Sequence, residues 1–141
     1  MVIRSSWLLD TNIISEAMRP IPHTHVMHCL NQYAQELAIA APVWHELRYG
    51  WLRMPAGRRK DAIGDYVQNV VGVLPIFAYD EIAARIHAQL RSEHEQTGLS
   101  LPFVDGQIAA IAMAHGLTLV TRNLKDFHGI QGLRVVNWFD A

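Results

Sequence analysis

The chain has 141 residues, half of them hydrophobic and 18% charged, with 12 Lys and Arg against 13 Asp and Glu for a formal net charge of -1. That length supports one domain, expected over residues 1–141, with a core of its own, and the composition excludes disordered and fibrous classes. The single cysteine excludes an internal disulfide and a cysteine-based zinc cluster, and the near-neutral charge excludes a global basic field of the kind that draws proteins onto nucleic acid.

The opening MVIRSSWLLD has no apolar region of signal-peptide length, and no apolar run approaches the roughly 20 residues of a membrane span, so a cytoplasmic protein is expected. A first strand over Ser6–Leu9 ends abruptly in Asp10, and Thr11 and Asn12 precede renewed apolar residues at Ile13 and Ile14, where a helix starts. His23, His25 and His28 follow in a loop-to-helix segment, and their spacing matches no strong zinc signature. A second strand is expected over Leu37–Ala40. Pro42 suits the first turn of a helix whose apolar face is Val43, Leu47, Gly50, Trp51 and Met54. The break Pro55-Ala56-Gly57 leads into Arg58, Arg59 and Lys60, which sit badly against the dipole if they open a helix.

A third strand is expected over Val73–Phe77. Asp80 can cap a helix with Ile82, Ile86 and Leu90 along one side. In SLPFVDGQIAAIAMAHG, Pro102 suits the opening turn and Gly116 the stop. Strands over Leu117–Thr121 and Arg134–Asn137 close the series. Short apolar runs alternating with helical patterns predict an α/β fold, a central parallel sheet of four or five strands with helices on both faces.

Asp10 falls at the carboxyl end of a parallel strand, where open α/β folds bind ligands. Its ordinary role is a helix N-cap, although Asn12 can fill that role and free Asp10. Glu46 lies one turn into its helix, and Asp105 lies in a first turn beside Ile108, Ala109 and Ala112; an acid near a helix start ordinarily does no more than complement the dipole. Asn123 and Asp126 follow the fourth strand, where turn residues are common. These side chains come from distant parts of the chain yet are all expected at one sheet edge. Carboxylates so gathered repel and raise one another's pKa unless a cation sits among them, and magnesium, a hard ion that takes oxygen ligands, suits the position.

The ordered set LLDTNIIS, VWHELRYG, PFVDGQIAAIA, LVTRNLKDF and GLRVVNW resembles the PIN-domain ribonucleases, in particular the VapC/FitB-type toxins of bacterial toxin–antitoxin pairs, over essentially the whole chain. The resemblance implies a three-layer PIN fold and an acidic pocket that holds Mg2+ or Mn2+ and hydrolyses single-stranded RNA. It also implies a VapB/FitA-type antitoxin that blocks the pocket, a homodimer, and a toxin–antitoxin complex that binds operator DNA through the antitoxin. By motif, Asp10 and Asp105 match the carboxylates tied to the metal and Glu46 the third acid. Asn123 stands where many members carry an acid, which leaves a second metal open; Asp126, three residues on, is the alternative. In the implied chemistry Asp10 and Asp105 hold the ion and Glu46 orients or deprotonates water, with Thr11, Asn12 and Thr121 in hydrogen-bonding support. Arg122, Arg48, Arg58 and Arg59 are the candidates for contacting the phosphates. Two rival readings stand beside it: a phosphotransfer or receiver-type domain with a metal-binding aspartate, and a catalytically silent PIN-like module in which Asn123 marks lost activity.

Overall fold

A computed structural model describes residues 4–140; residues 1–3 and 141, the ends of the expected domain, lie outside the described residues. Five short apolar runs form the strands β1 (Trp7–Leu9), β2 (Leu37–Ala40), β3 (Ile76–Phe77), β4 (Thr118–Val120) and β5 (Val135–Val136). They pair in the order β3-β2-β1-β4-β5, every neighbour parallel. Between them run α1 (Thr11–Glu16), α2 (Thr24–Gln32), α3 (Ala41–Leu52), α4 (Arg58–Asn69), α5 (Glu81–Gln96) and α6 (Phe103–His115). The expected α/β architecture is present, with five strands.

The sheet is covered on both faces, so its central strands read as apolar runs without alternation. Leu8 and Leu9 of β1 and all four residues of β2 are buried. Each buried Leu or Ile contributes about 1.5–3 kcal/mol. Among the described residues no helix is long and apolar enough to cross a membrane.

Two local expectations are corrected. The third strand is only Ile76–Phe77, because Val71–Val73 form a 3-10 turn and Pro75 has no N–H to give; its carbonyl accepts from the Ile39 N–H at 3.0 Å, and the ladder begins one residue later. The inner face of α5 is rotated by one position. Ile82 is 54% exposed, and the buried residues are Ala83, His87 and Leu90. A histidine takes the core position because its Nδ1 bonds the Tyr79 hydroxyl at 2.8 Å and its ring meets Phe103 edge-on. Burial, and then the charge of Arg91, lower the His87 pKa, which favours the neutral imidazole. Asp80 does cap this helix, accepting from the Ala83 N–H at 3.0 Å. On α3, Val43 and Leu47 are buried as expected, whereas Gly50, Trp51 and Met54 are half-buried.

Helix α6 is wrapped on almost every side, with Gly106 and Ile108 to Ala112 all buried, and its C-cap Gly116 has φ 65. Small residues let it approach both the sheet and α5. At Gly106 the approach is closest: a Cβ there would overlap the imidazole of His87. Gly106→Ala should therefore cost about 1–3 kcal/mol in urea unfolding, as overpacked cores do. In a His87→Ala background the same change should cost much less, and an equal cost in both backgrounds would show that the ring is not the obstacle.

Candidate active site

The order of the strands turns back at β1, with β2 and β3 on one side of it and β4 and β5 on the other. In open parallel sheets the crevice at the carboxyl end of such a strand is where ligands bind. Asp10 is the first residue past β1. Its N–H donates to the Val120 carbonyl at 2.9 Å, continuing the β1–β4 ladder, and its backbone is still extended. Oδ1 accepts the Thr11 N–H at 2.8 Å, so Asp10 is itself the cap of α1. Oδ2 accepts the Thr121 hydroxyl, also at 2.8 Å and fully buried. Cap and cleft residue are thus one side chain, and Asn12 does not take over as cap. Instead Asn12 Oδ1 accepts the Arg122 N–H at 3.1 Å, which ties α1 to the segment after β4. The Asn123 N–H donates to Thr121 Oγ1 at 3.1 Å, completing a relay from Asn123 through Thr121 to Asp10.

Glu46 arrives differently. Strand β2 runs straight into α3, with Ala40 as both the last strand residue and the N-cap and Pro42 in the first turn, so Glu46 stands one turn above the sheet edge. Asp105 sits in the first turn of α6, whose N-cap is Pro102. Asp10, Glu46, Asp105 and Asn123 line one cleft of about 460 Å³, together with Thr11, Asn12 and Ser15 and an apolar wall that includes Val43 and Ile108. Ser15 escapes a reading of the sequence. Its signal is helical spacing, three residues after Asn12 and four after Thr11.

The remaining candidates lie outside this cleft. Asp126 opens onto a different hollow beside His94 and Lys125. Arg48 rests on the rings of Trp44 and Trp51 at 5.3 and 5.5 Å, and the Arg122 guanidinium lies 4.3 Å from the Phe139 ring centroid. Arg58 is exposed at the start of α4, where the basic triplet does open a helix, and Lys60 donates to the Leu52 carbonyl at 3.0 Å. Arg59 lines a neighbouring pocket. The histidines of α2 have local roles: His23 Nδ1 accepts the Val26 N–H at 3.3 Å, and His25 lies 3.5 Å from Cys29 Sγ.

Charge in the cleft is left unpaired by the lysines and arginines of the described residues. Among the described residues no Lys or Arg forms an ion pair with Asp10, Glu46 or Asp105; Glu46, its side chain 53% exposed, faces only His45 Nδ1 at 3.8 Å. Burial, then the charge of Asp10, then that of Asp126, push the Asp105 carboxyl up to about 6. Among the described residues no three acidic, histidine or cysteine side chains converge tightly enough to form a cage for an ion. The donors are all hard oxygens, two close carboxylates with a third at the rim, an amide and a hydroxyl. That set suits a magnesium-like ion, which needs only one or two carboxylates and keeps several waters.

The sequence pattern of the PIN domain matches residues 7–132. The chain belongs to the PIN domain family. This PIN domain is similar to toxin FitB of Neisseria gonorrhoeae, 34% identical over 94% of this chain and 99% of that one. It is similar to VapC ribonuclease Y4jK of Sinorhizobium fredii, 34% identical over 92% of this chain and 95% of that one. Among solved structures, that of FitAB bound to an IR36 DNA fragment superposes with a TM-score of 0.88 at 31% identity, covering 96% of each chain. The three-layer PIN fold expected from the motifs is the fold observed.

Two substitutions test the cleft without any substrate. Thr121→Val leaves a buried Asp10 oxygen and the Asn123 N–H without partners, and should cost about 1.5–3 kcal/mol in urea unfolding; a neutral result would mean that water replaces the hydroxyl. Asp105→Asn should stabilise the metal-free PIN domain. The Asp105 pKa is raised in the fold, so its unfavourable contribution is absent below the ordinary value near 3.8 and complete above about 6. At roughly 1.4 kcal/mol per pKa unit, reduced because the half-buried carboxyl is partly screened by water, the gain at neutral pH is about 1–2 kcal/mol. Thermal melts in chelator across this range should show the gain fading toward pH 4, and a pH-independent gain would assign it to something other than ionisation.

Proposed function

We propose that this PIN domain is a magnesium-dependent endoribonuclease that cleaves single-stranded RNA and acts in the cytoplasm as the toxin of a toxin–antitoxin pair. The observation that carries this reading is the convergence of Asp10, Glu46, Asp105 and Asn123 on one cleft where, among the described residues, no Lys or Arg pairs with the acids. The likeness to a VapC ribonuclease supports the activity, and the likeness to toxin FitB supports the role. The FitAB structure with DNA supports a cognate antitoxin whose complex binds operator DNA, and we propose that this antitoxin blocks the cleft.

In this reading Asp10 and Asp105 hold the ion, Mg2+ or Mn2+. A divalent ion bound there supplies charge neutralisation for the phosphodiester and makes water more acidic. Thr121 and the Thr11 N–H hold the two oxygens of Asp10 in place, leaving a lone pair on each for the cleft. Glu46, at the exposed rim, would accept the proton of the attacking water as its oxygen bonds to phosphorus, and the ribose oxygen would leave as its own phosphorus–oxygen bond breaks, taking up a proton from solvent water. Asn123 adds an amide without charge. Three carboxylates match one divalent ion better than two, so we read the site as a one-ion site. A silent binding module would have no reason to keep the Asp105 carboxyl half-buried beside Asp10, where it costs stability.

Asp10→Asn and Asp105→Asn should each reduce cleavage of single-stranded RNA at least about 100-fold while leaving the protein folded, and Glu46→Gln should do so less completely. Chelator should stop the wild-type reaction and added magnesium restore it. Titration calorimetry with magnesium should show ion binding that Asp105→Asn removes. Full activity in either aspartate variant, each shown to be folded, would refute the site, and absence of carboxylate-dependent ion binding would favour the silent module.

A further inference from the structure

We infer that the acidic cleft continues across α1 into a second, cationic subsite, where Arg19 and Arg59 hold the phosphate backbone of the RNA a few nucleotides from the bond that is cut. The inference rests on the nuclease reading above and adds to it a path for the strand.

A hollow of about 370 Å³ lies beside the cleft and is lined by Arg19, Arg59, Met54, Ile63 and residues of α1. Asn12 and Ser15 line both spaces, so the two hollows adjoin along α1. From Asn12 to Glu16 α1 advances about 6 Å at the helical rise, and Arg19 lies three residues past its end, a separation that a few nucleotides span.

The two arginines are presented in different ways. Glu16 is a buried carboxylate that accepts the His23 N–H at 2.7 Å and Arg19 Nη1 at 3.3 Å. Burial pushes the Glu16 pKa up, but the His23 N–H and the Arg19 guanidinium outweigh it, and the carboxyl stays below its ordinary value. Ionised Glu16 therefore tethers one edge of Arg19, whose side chain remains 63% exposed with other donors to offer. Arg59 has no tether. It is exposed and, among the described residues, makes neither an ion pair nor a hydrogen bond. It also stands in the first turn of α4, where a cation opposes the helix dipole. Its neighbour Lys60 closes the end of α3, whereas Arg59 has no such structural use.

An acidic cleft alone repels the polyanion that it is meant to cut. A pair of guanidinium groups at its edge supplies the local attraction that the net charge of -1 does not. The apolar side chains of Met54 and Ile63 give a base somewhere to rest. Continuity with the cleft favours a nucleic acid strand over an acidic segment of a protein partner, because a strand that fills the cleft must leave it on one side.

The test is the double variant Arg19→Gln, Arg59→Gln, read in two ways. The ratio of kcat/KM on a single-stranded RNA of about 12 nucleotides to that on one of about three should fall about tenfold or more, since only the longer strand reaches the subsite. In an Asp10→Asn background, which binds without cutting, the slope of log Kd for the longer RNA against log salt should become shallower by about 0.7 for each phosphate that the arginines no longer neutralise. A purely structural effect would lower the melting temperature and weaken both RNAs alike. An unchanged ratio with an unchanged slope overturns the subsite, as does a variant that keeps RNA binding and loses affinity only for an antitoxin. If the wild type cuts neither RNA the nuclease reading fails, and the salt slope alone then decides the subsite.

Discussion

The hydroxyl of Thr121 and the carboxylate of Asp10, 111 positions apart in the chain, meet in a buried hydrogen bond at 2.8 Å, and the rest of the cleft is arranged around that bond. It can form only if β1 and β4 are neighbours in register, because both residues are the first past their strands. It fixes one oxygen of Asp10, the start of α1 fixes the other, and the same hydroxyl accepts the N–H of Asn123. A hydrogen bond to a charged group away from water is among the stronger single interactions available to a fold. Register of the sheet, the cap of α1 and the shape of the cleft are therefore one constraint.

Against that ordering force stands repulsion. Asp105 is brought to the same cleft by α6, a helix held so closely by α5 and the sheet that it cannot draw back, and its carboxyl is pushed up to about 6 by burial and by Asp10 and Asp126. Gly106 and His87 show how tight that seating is, since even a methyl group would collide. Folding places the acids where they are uncomfortable and holds them there, which is how sites for a ligand are commonly kept ready at some cost in stability.

Much of this is legible in the sequence, and for definite reasons. Asp10 can be placed at the carboxyl end of the sheet because it directly follows a buried apolar run, Glu46 because it lies one turn into the helix that leaves the second strand, and Asp105 because it opens the helix that returns to the start of the fourth. The cap of α5 at Asp80 and the stop of α6 at Gly116 are legible because cap chemistry is local. What escapes is non-local. The pairing of Thr121 with Asp10 depends on strand order, which no window of sequence encodes. The inner face of α5 is misread because His87 counts as polar until Tyr79 is known to partner its Nδ1. The third strand loses Val73 to a 3-10 turn and Leu74 and Pro75 to the connection, because hydrophobic runs do not reveal where a proline carbonyl begins the ladder. Arg48, expected near phosphate, lies on two tryptophans of its own helix, at positions four residues before and three after it, a spacing that is open to reading.

Asn123 draws these points together. Its backbone N–H belongs to the relay that holds Asp10, and its side chain lines the cleft without adding charge. A carboxylate there would face Asp10 and Asp105 together and raise further a pKa that is already high. An amide keeps the geometry of the fourth position while lowering the charge that an ion must balance. The relay needs only the backbone of residue 123, so the side chain is free to vary in charge while the position of Asp10 stays fixed. The fold thus separates two tasks that the motif alone merges: the hydrogen-bonded frame sets where the cleft is, and the side chains standing in it set how much positive charge it calls for.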